Sequence, residues 1–136
     1  MNRRALIQSS ALLGLFMATP ALARAPEAKA KEPVVFDMKM IGLPIIREGR
    51  LINYIFVNIK LYLADGVRPE TVQTKEALIR DAVVRTGHRT PFVLPDKNTE
   101  LNATTLTAEV LRQANAQLGS GKVTRVEIVN QMSRRR

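Results

Sequence analysis

The sequence feature that most constrains the fold is a 14-residue run, Leu51 to Ala64, in which every second side chain is apolar. Only Asn53 interrupts this apolar face, whose other members are Leu51, Ile55, Val57, Ile59, Leu61 and Leu63. A period of two is typical of a β-strand, so the run predicts a long strand. At about 3.3 Å per residue it would span roughly 45 Å, so we expect part of it to bend or to pair outside the core.

The opposite face of this strand is half apolar and half polar. Its members are Ile52, Tyr54, Phe56, Asn58, Lys60 and Tyr62. We expect helices or a partner to cover such a face. Tyr54 and Tyr62 are candidate interaction residues, because a charged residue at either position should give monomers if copies of the chain associate through this face.

A hairpin is predicted before the long strand. Apolar and polar side chains alternate from Val34 to Ile41, which predicts a half-buried strand, and residues 43–46 continue it past Pro44. The residues predicted to share its apolar face are Val34, Phe36, Met38 and Met40. Residues 47–50 are typical of a tight turn, because Gly49 can take a positive φ.

Two helices are predicted after the long strand. The first begins at Pro69, which has no amide hydrogen to leave unpaired, and ends at Gly87, a natural C-terminal stop. Its solvated face is predicted by two acid–base pairs four residues apart, Glu76 with Arg80 and Asp81 with Arg85. The second helix covers residues 104–118, with Asn102 as its cap and Gly119 at its end.

Residues 122–132 predict a last strand, with Val126 and Ile128 on one face and Val123 and Val129 on the other. The order is therefore strand, strand, helix, helix, strand. Two helices between the second and third strands make a crossover, which permits parallel pairing of those strands. The sequence predicts one α+β domain over residues 34–132, with a small sheet of about three strands, one of them long, packed on two helices.

The first 23 residues are typical of a signal peptide. Arg3 and Arg4 precede a mostly apolar stretch, and Ala21 and Ala23 supply the small side chains that signal peptidase accepts, so we expect cleavage after Ala23. The two arginines fit a general secretory signal and a twin-arginine signal alike. We expect a periplasmic mature chain; the alternative is an uncleaved inner-membrane anchor that leaves the domain facing the periplasm.

Charge suggests one class of partner. The chain has 21 Lys+Arg against 12 Asp+Glu, and cleavage would remove only Arg3 and Arg4 from this balance. Residues 24–33 lack large apolar side chains and predict a flexible linker, and residues 133–136 form a basic tail containing Arg134, Arg135 and Arg136. The tail either keeps a frayed end solvated or, with the helix arginines, binds an anionic envelope component such as a membrane surface.

The residue types needed for several kinds of catalytic, metal and nucleic-acid site are missing or scarce in the chain. The chain has no Cys, which excludes a disulfide framework, a thiolate metal site and a Cys nucleophile. His88 is the only histidine, and Ser120 and Ser133 are the only serines after cleavage, so no triad or metal-ligand spacing is evident. Aromatic residues make up 4% of the chain, too few for a nucleic-acid stacking platform. We expect no catalytic, cofactor or metal site and no nucleic-acid partner, so the chain is not expected to be an enzyme.

Four stretches resemble a known family. They are GRLINY at 49–54 followed by Leu61, IRDAVV at 79–84, GKVTRV at 121–126 and IVNQ at 128–131. Over residues 34–131 the chain resembles the periplasmic domain of the FliL family of flagellar basal-body-associated proteins. The resemblance implies a stomatin-like, ring-forming domain that surrounds or supports stator units, with itself and other envelope or flagellar proteins as partners. Such proteins keep an N-terminal transmembrane helix, so a cleaved chain would be a soluble relative.

Overall fold

The described part of the chain is residues 30–134 of a computed structural model. The elements in order are β1 (Val34–Asp37), β2 (Ile41–Arg47), β3 (Arg50–Leu63), α1 (Pro69–Arg89), α2 (Ala103–Leu118) and β4 (Val123–Ser133). The four strands form one antiparallel sheet, so the predicted α+β class, a small sheet with one long strand packed on two helices, is confirmed. The predicted signal peptide with Arg3, Arg4, Ala21 and Ala23, most of the predicted linker, and Arg135 and Arg136 lie outside the described residues.

The long strand β3 organises the sheet. β1 pairs with residues 60–63 of β3, β2 pairs with residues 50–57, and β4 pairs with residues 55–63. Because β4 overlaps both of the other pairings, it must lie on the opposite edge of β3 from β1 and β2. The sheet is therefore three strands wide, with β1 and β2 end to end along one edge.

The predicted parallel pairing of the last two strands is wrong. β4 runs antiparallel to β3. The two helices between them pack against each other and against the sheet, so the chain reverses direction at each of the three connections. Two successive helices carry the chain along the sheet and back again, so β4 begins at the end of the sheet where β3 stops. It must therefore run in the opposite direction to β3.

The first predicted strand is broken in two. Val34 to Asp37 pair with β3 in one register, and Ile41 onward pair one residue out of step, so residues 38–40 contain a bulge. The bulge moves the buried set from even to odd positions: Met38 is buried, Met40 is 46% exposed, and Ile41 and Leu43 are buried. The predicted apolar face therefore ends at Met38.

A carboxylate from α1 stabilises this bulge. Glu76 Oε1 accepts a hydrogen bond from the backbone N–H of Lys39 at 2.5 Å. Glu76 is only 5% exposed, so its predicted place on the solvated face is wrong. The second predicted pair is confirmed, because Arg85 forms an exposed ion pair with Asp81 one turn earlier.

The core lies between the inner face of the sheet and the helices. Its β3 members are the predicted residues from Ile55 to Leu63, and its helix members include Val72, Ile79, Leu106 and Val110. Leu51, predicted to share this face, is 53% exposed, because the first residues of β3 extend beyond the part that pairs with β4. This agrees with the expectation that part of the strand lies outside the core.

Gly87 does not end α1, contrary to prediction. The helix continues through Gly87 to Arg89, and Gly87 is buried. A Cβ at this position would lie 3.3 Å from Cε2 of Phe92, so the missing side chain makes room for that ring. The glycine is a packing position, and Phe92 is the residue that fixes the loop after α1 against the core.

The second helix begins at Ala103, one residue before the predicted start, and ends at Leu118 as predicted. Asn102 Oδ1 accepts a hydrogen bond from the Thr105 N–H at 3.2 Å, and Gly119 follows the last turn with a positive φ. A bulge near Thr124 then shifts the register of β4. As a result Val123 is buried in the same core that Val126 and Ile128 contact, although the sequence placed it on the opposite face.

Glu109 links the two helices. Its carboxylate accepts hydrogen bonds from Thr86 Oγ1 on α1 at 2.9 Å and, on α2, from Arg112 and Gln113. Burial raises the pKa of the Glu109 carboxyl, but these hydrogen bonds and the Arg112 charge outweigh burial, so its pKa lies below the ordinary value. The carboxylate form therefore stabilises the helix pair.

Candidate functional site

The outer face of the sheet is the surface of β1–β4 that points away from the helices. Residues directly opposite each other on antiparallel strands share a face. On this face Tyr54 lies opposite Pro44, and Phe56 lies between Gly42 and Met132. Further along β3 the rows are Asn58 with Asn130, Lys60 between Asp37 and Glu127, and Tyr62 between Val35 and Arg125. Both ends of the face thus belong to the same strand but differ in chemistry.

One end of the outer face, here called the apolar end, consists of Pro44, Tyr54, Phe56 and Met132. The rings of Tyr54 and Phe56 stack with centroids 6.3 Å apart. The Phe56 ring lies against Gly42, where a Cβ would approach its Cε1 atom to 3.1 Å. Tyr54 is 36% exposed and Met132 is 50% exposed, and no element of residues 30–134 covers them. An apolar cluster of this kind on a sheet is a candidate contact surface.

The other end, here called the charged end, is a hydrogen-bonded network. The Tyr62 hydroxyl donates to Glu127 Oε2 at 2.5 Å, and the Arg125 guanidinium lies 3.8 Å from the centre of the Tyr62 ring. Arg125 also lies 3.4 Å from Glu127 Oε2. The hydrogen bond to Glu127 is the main reason why the pKa of the Tyr62 hydroxyl is raised. These exposed groups satisfy one another within the chain.

The structure separates the residues predicted to interact. Tyr54 and Tyr62 are eight positions apart on one strand, or about 26 Å at the usual rise, so their side chains do not touch each other. Tyr54 belongs to the apolar end and Tyr62 to the charged end. The Arg134 N–H donates to the Tyr54 carbonyl at 3.1 Å, so the described part of the basic tail leaves the sheet beside the apolar end.

Two of the helix arginines form ion pairs within the chain. Arg85 is paired with Asp81, and Arg112 is paired with Glu109 at 2.8 Å. These contacts offset two of the positive charges locally. Arg134 is exposed at the far end of β4.

The described part of the chain offers neither a metal cluster nor a membrane-spanning helix. Between residues 30 and 134, no three His, Asp or Glu side chains converge as metal ligands would. Neither helix there combines the length and the apolar composition of a membrane span. His88 is exposed in the last turn of α1, and Ser120 is exposed in the turn before β4.

Sequence reasoning missed the contributions of β4 and of Glu76. Met132, Arg125 and Glu127 complete the outer face, but two bulges in β4 hide its alternation. Glu76 did carry a signal: it follows Val72 by four positions and precedes Ile79 by three, which places it on the apolar stripe of α1. A lone carboxylate on such a stripe indicates a buried acceptor.

No protein-family model matches the chain, and no curated protein matches it either.

Proposed function

We propose that the chain is a non-enzymatic, exported envelope protein that acts by associating with itself and with other envelope or flagellar proteins. The observation that carries the proposal is the uncovered apolar end of the outer face, where Tyr54, Phe56 and Met132 lie together. Burying such side chains against a partner contributes about 25 cal/mol per Å² of apolar surface removed from water. The resemblance to the FliL periplasmic domain supports the same kind of role, in which the chain binds a protein partner and does not convert a substrate.

Binding of an anionic envelope component is the second candidate, and one observation favours it. Arg134 lies at the end of β4 with an exposed side chain, and it lines a small cavity of about 110 Å³ with Leu51, Ile52 and Tyr54. A cation beside exposed apolar side chains suits an anionic membrane surface. Arg85 and Arg112 are ion-paired within their helices, which reduces their contribution to this function.

Site-specific photo-crosslinking in living cells tests the association proposal. A photoreactive phenylalanine analogue at Met132 should form adducts with protein, whereas the same analogue at Leu78, which is 49% exposed on α1, should not. Adding Tyr54→Asp should reduce the Met132 adducts by about tenfold or more, because a carboxylate buried in an apolar contact loses its hydration.

Two results would contradict the proposal. One is equal adduct formation from positions 132 and 78, which would mean that the outer face is not a preferred contact. The other is Met132 adducts that consist of lipid alone and survive Tyr54→Asp, which would favour the membrane-binding function.

A further inference from the structure

The free edge of β4 is the second unpartnered feature of the sheet. β4 pairs with β3 on one side, and within residues 30–134 no strand pairs with its other side. The backbone groups of its first residue already have hydrogen-bond partners. Asn115 Nδ2 donates to the Val123 carbonyl at 3.0 Å, and the Val123 N–H donates to Asn115 Oδ1 at 2.9 Å. The open edge therefore begins after Val123. Unpaired backbone groups on an edge strand are a template for another strand.

Two bulges limit the length of this template. The register of β4 against β3 shifts between Tyr62 and Leu63 and again between Asn58 and Ile59. Only residues 125–128 pair without interruption between these shifts. Bulges twist an edge away from a flat partner, so an added strand would be centred on this short regular stretch.

The charges in the regular stretch select a partner. Arg125 and Glu127 lie on the outer face, both exposed, on either side of Val126. Two identical strands can pair antiparallel about a two-fold axis at any of these residues. An axis at Arg125 opposes two arginines, and an axis at Glu127 opposes two glutamates. An axis at Val126 places each Arg125 opposite the Glu127 of the other copy, which is the favourable arrangement.

We propose that a second copy of the chain pairs antiparallel with β4, with Val126 on the two-fold axis and two reciprocal Arg125–Glu127 contacts. The pairing would extend the sheet across both copies. This pairing rests on the proposed function, because both require the chain to act by association. It uses the edge of β4, however, and not the apolar end of the outer face.

The space beside the edge is compatible with this pairing. An open groove of about 310 Å³ lies between α2 and β4, and its helix side is formed mainly by small side chains. The lining residues are Thr104, Thr107, Ala108 and Leu111 on α2 and Thr124, Arg125 and Val126 on β4. Val126 and Ile128 are half-buried at this edge. The second copy would cover both and bring the two α2 helices side by side.

Complementary charge reversal tests the pairing, measured by sedimentation of the full chain. The unchanged chain should be dimeric. Arg125→Glu alone opposes two carboxylates at each contact, and Glu127→Arg alone opposes two guanidiniums, so each variant should dissociate with a Kd about tenfold higher or more. An equimolar mixture should regain the dimer, because each contact in the mixed pair again joins opposite charges.

The mixture also separates this effect from changes within one chain. Each single variant keeps like charges beside its own Tyr62 in the mixture, so a repaired intrachain network cannot explain recovery. The Arg125→Glu, Glu127→Arg double variant should be dimeric on its own. A monomeric unchanged chain, dimeric single variants or a mixture that stays monomeric would each overturn the pairing. Absence of the Met132 crosslinks with the dimer intact would instead overturn the proposed role of the apolar end and leave the pairing through β4 standing.

Discussion

Replacing Leu61 by alanine is expected to lower the free energy of unfolding by about 2–5 kcal/mol. Leu61 is fully buried near the C-terminal end of β3, between Phe36 of β1 and Val126 of β4. Removing its side chain loses the transfer free energy of the buried methyl groups and leaves a cavity that the close-packed sheet and helices can fill only in part. Urea denaturation followed by circular dichroism measures the change.

The same strand provides a matched control. Leu51→Ala changes the same residue type in β3 at a position that is 53% exposed, and it should cost about 0.5 kcal/mol or less. Similar losses of stability for the two variants would contradict the burial difference between Leu61, which lies in the core, and Leu51, which lies outside it.

Replacing Glu76 by alanine is expected to cost about 1–3 kcal/mol. The carboxylate is the only buried charged group among residues 30–134, and its Oε1 accepts the hydrogen bond of the Lys39 N–H at the bulge between β1 and β2. Without it the amide of Lys39 loses its acceptor and the bulge loses its connection to α1. Urea denaturation gives the stability, and hydrogen exchange of the Lys39 amide reports the local contact.

Glu76→Gln is the control for this prediction. Glutamine keeps an oxygen at the same reach, so it should retain the hydrogen bond and most of the protection of the Lys39 amide. If the glutamine and alanine variants lose equal stability and Lys39 exchanges equally fast in both, the acceptor role of Glu76 is wrong.

The sequence was sufficient for those elements in which one periodicity continues without interruption. The apolar alternation of β3 and the Asn102 cap of α2 are local patterns, and the structure has them as predicted. These features depend on neighbours a few residues away, which the sequence displays directly. They were enough to predict the α+β class.

The bulges and the close contacts could not be predicted in the same way. A bulge at residues 38–40 or near Thr124 depends on how two distant strands meet, and it reverses the faces of all residues beyond it. Gly87 resembles a helix stop in sequence because its role depends on Phe92, which belongs to the following loop. The β3 residues of the outer face were predicted from their alternation. Its β4 residues could be placed only once the register of β4 against β3 was known.

We propose that the chain works in the envelope, and this proposal is best tested by the mass and N-terminal sequence of the protein recovered from each cell fraction. We expect a mature chain that begins at Arg24 in the periplasmic fraction. Full-length protein in the inner membrane would mean that the N-terminal segment is an uncleaved anchor and not a cleaved signal peptide. Full-length protein confined to the cytoplasm would show that the chain is not exported.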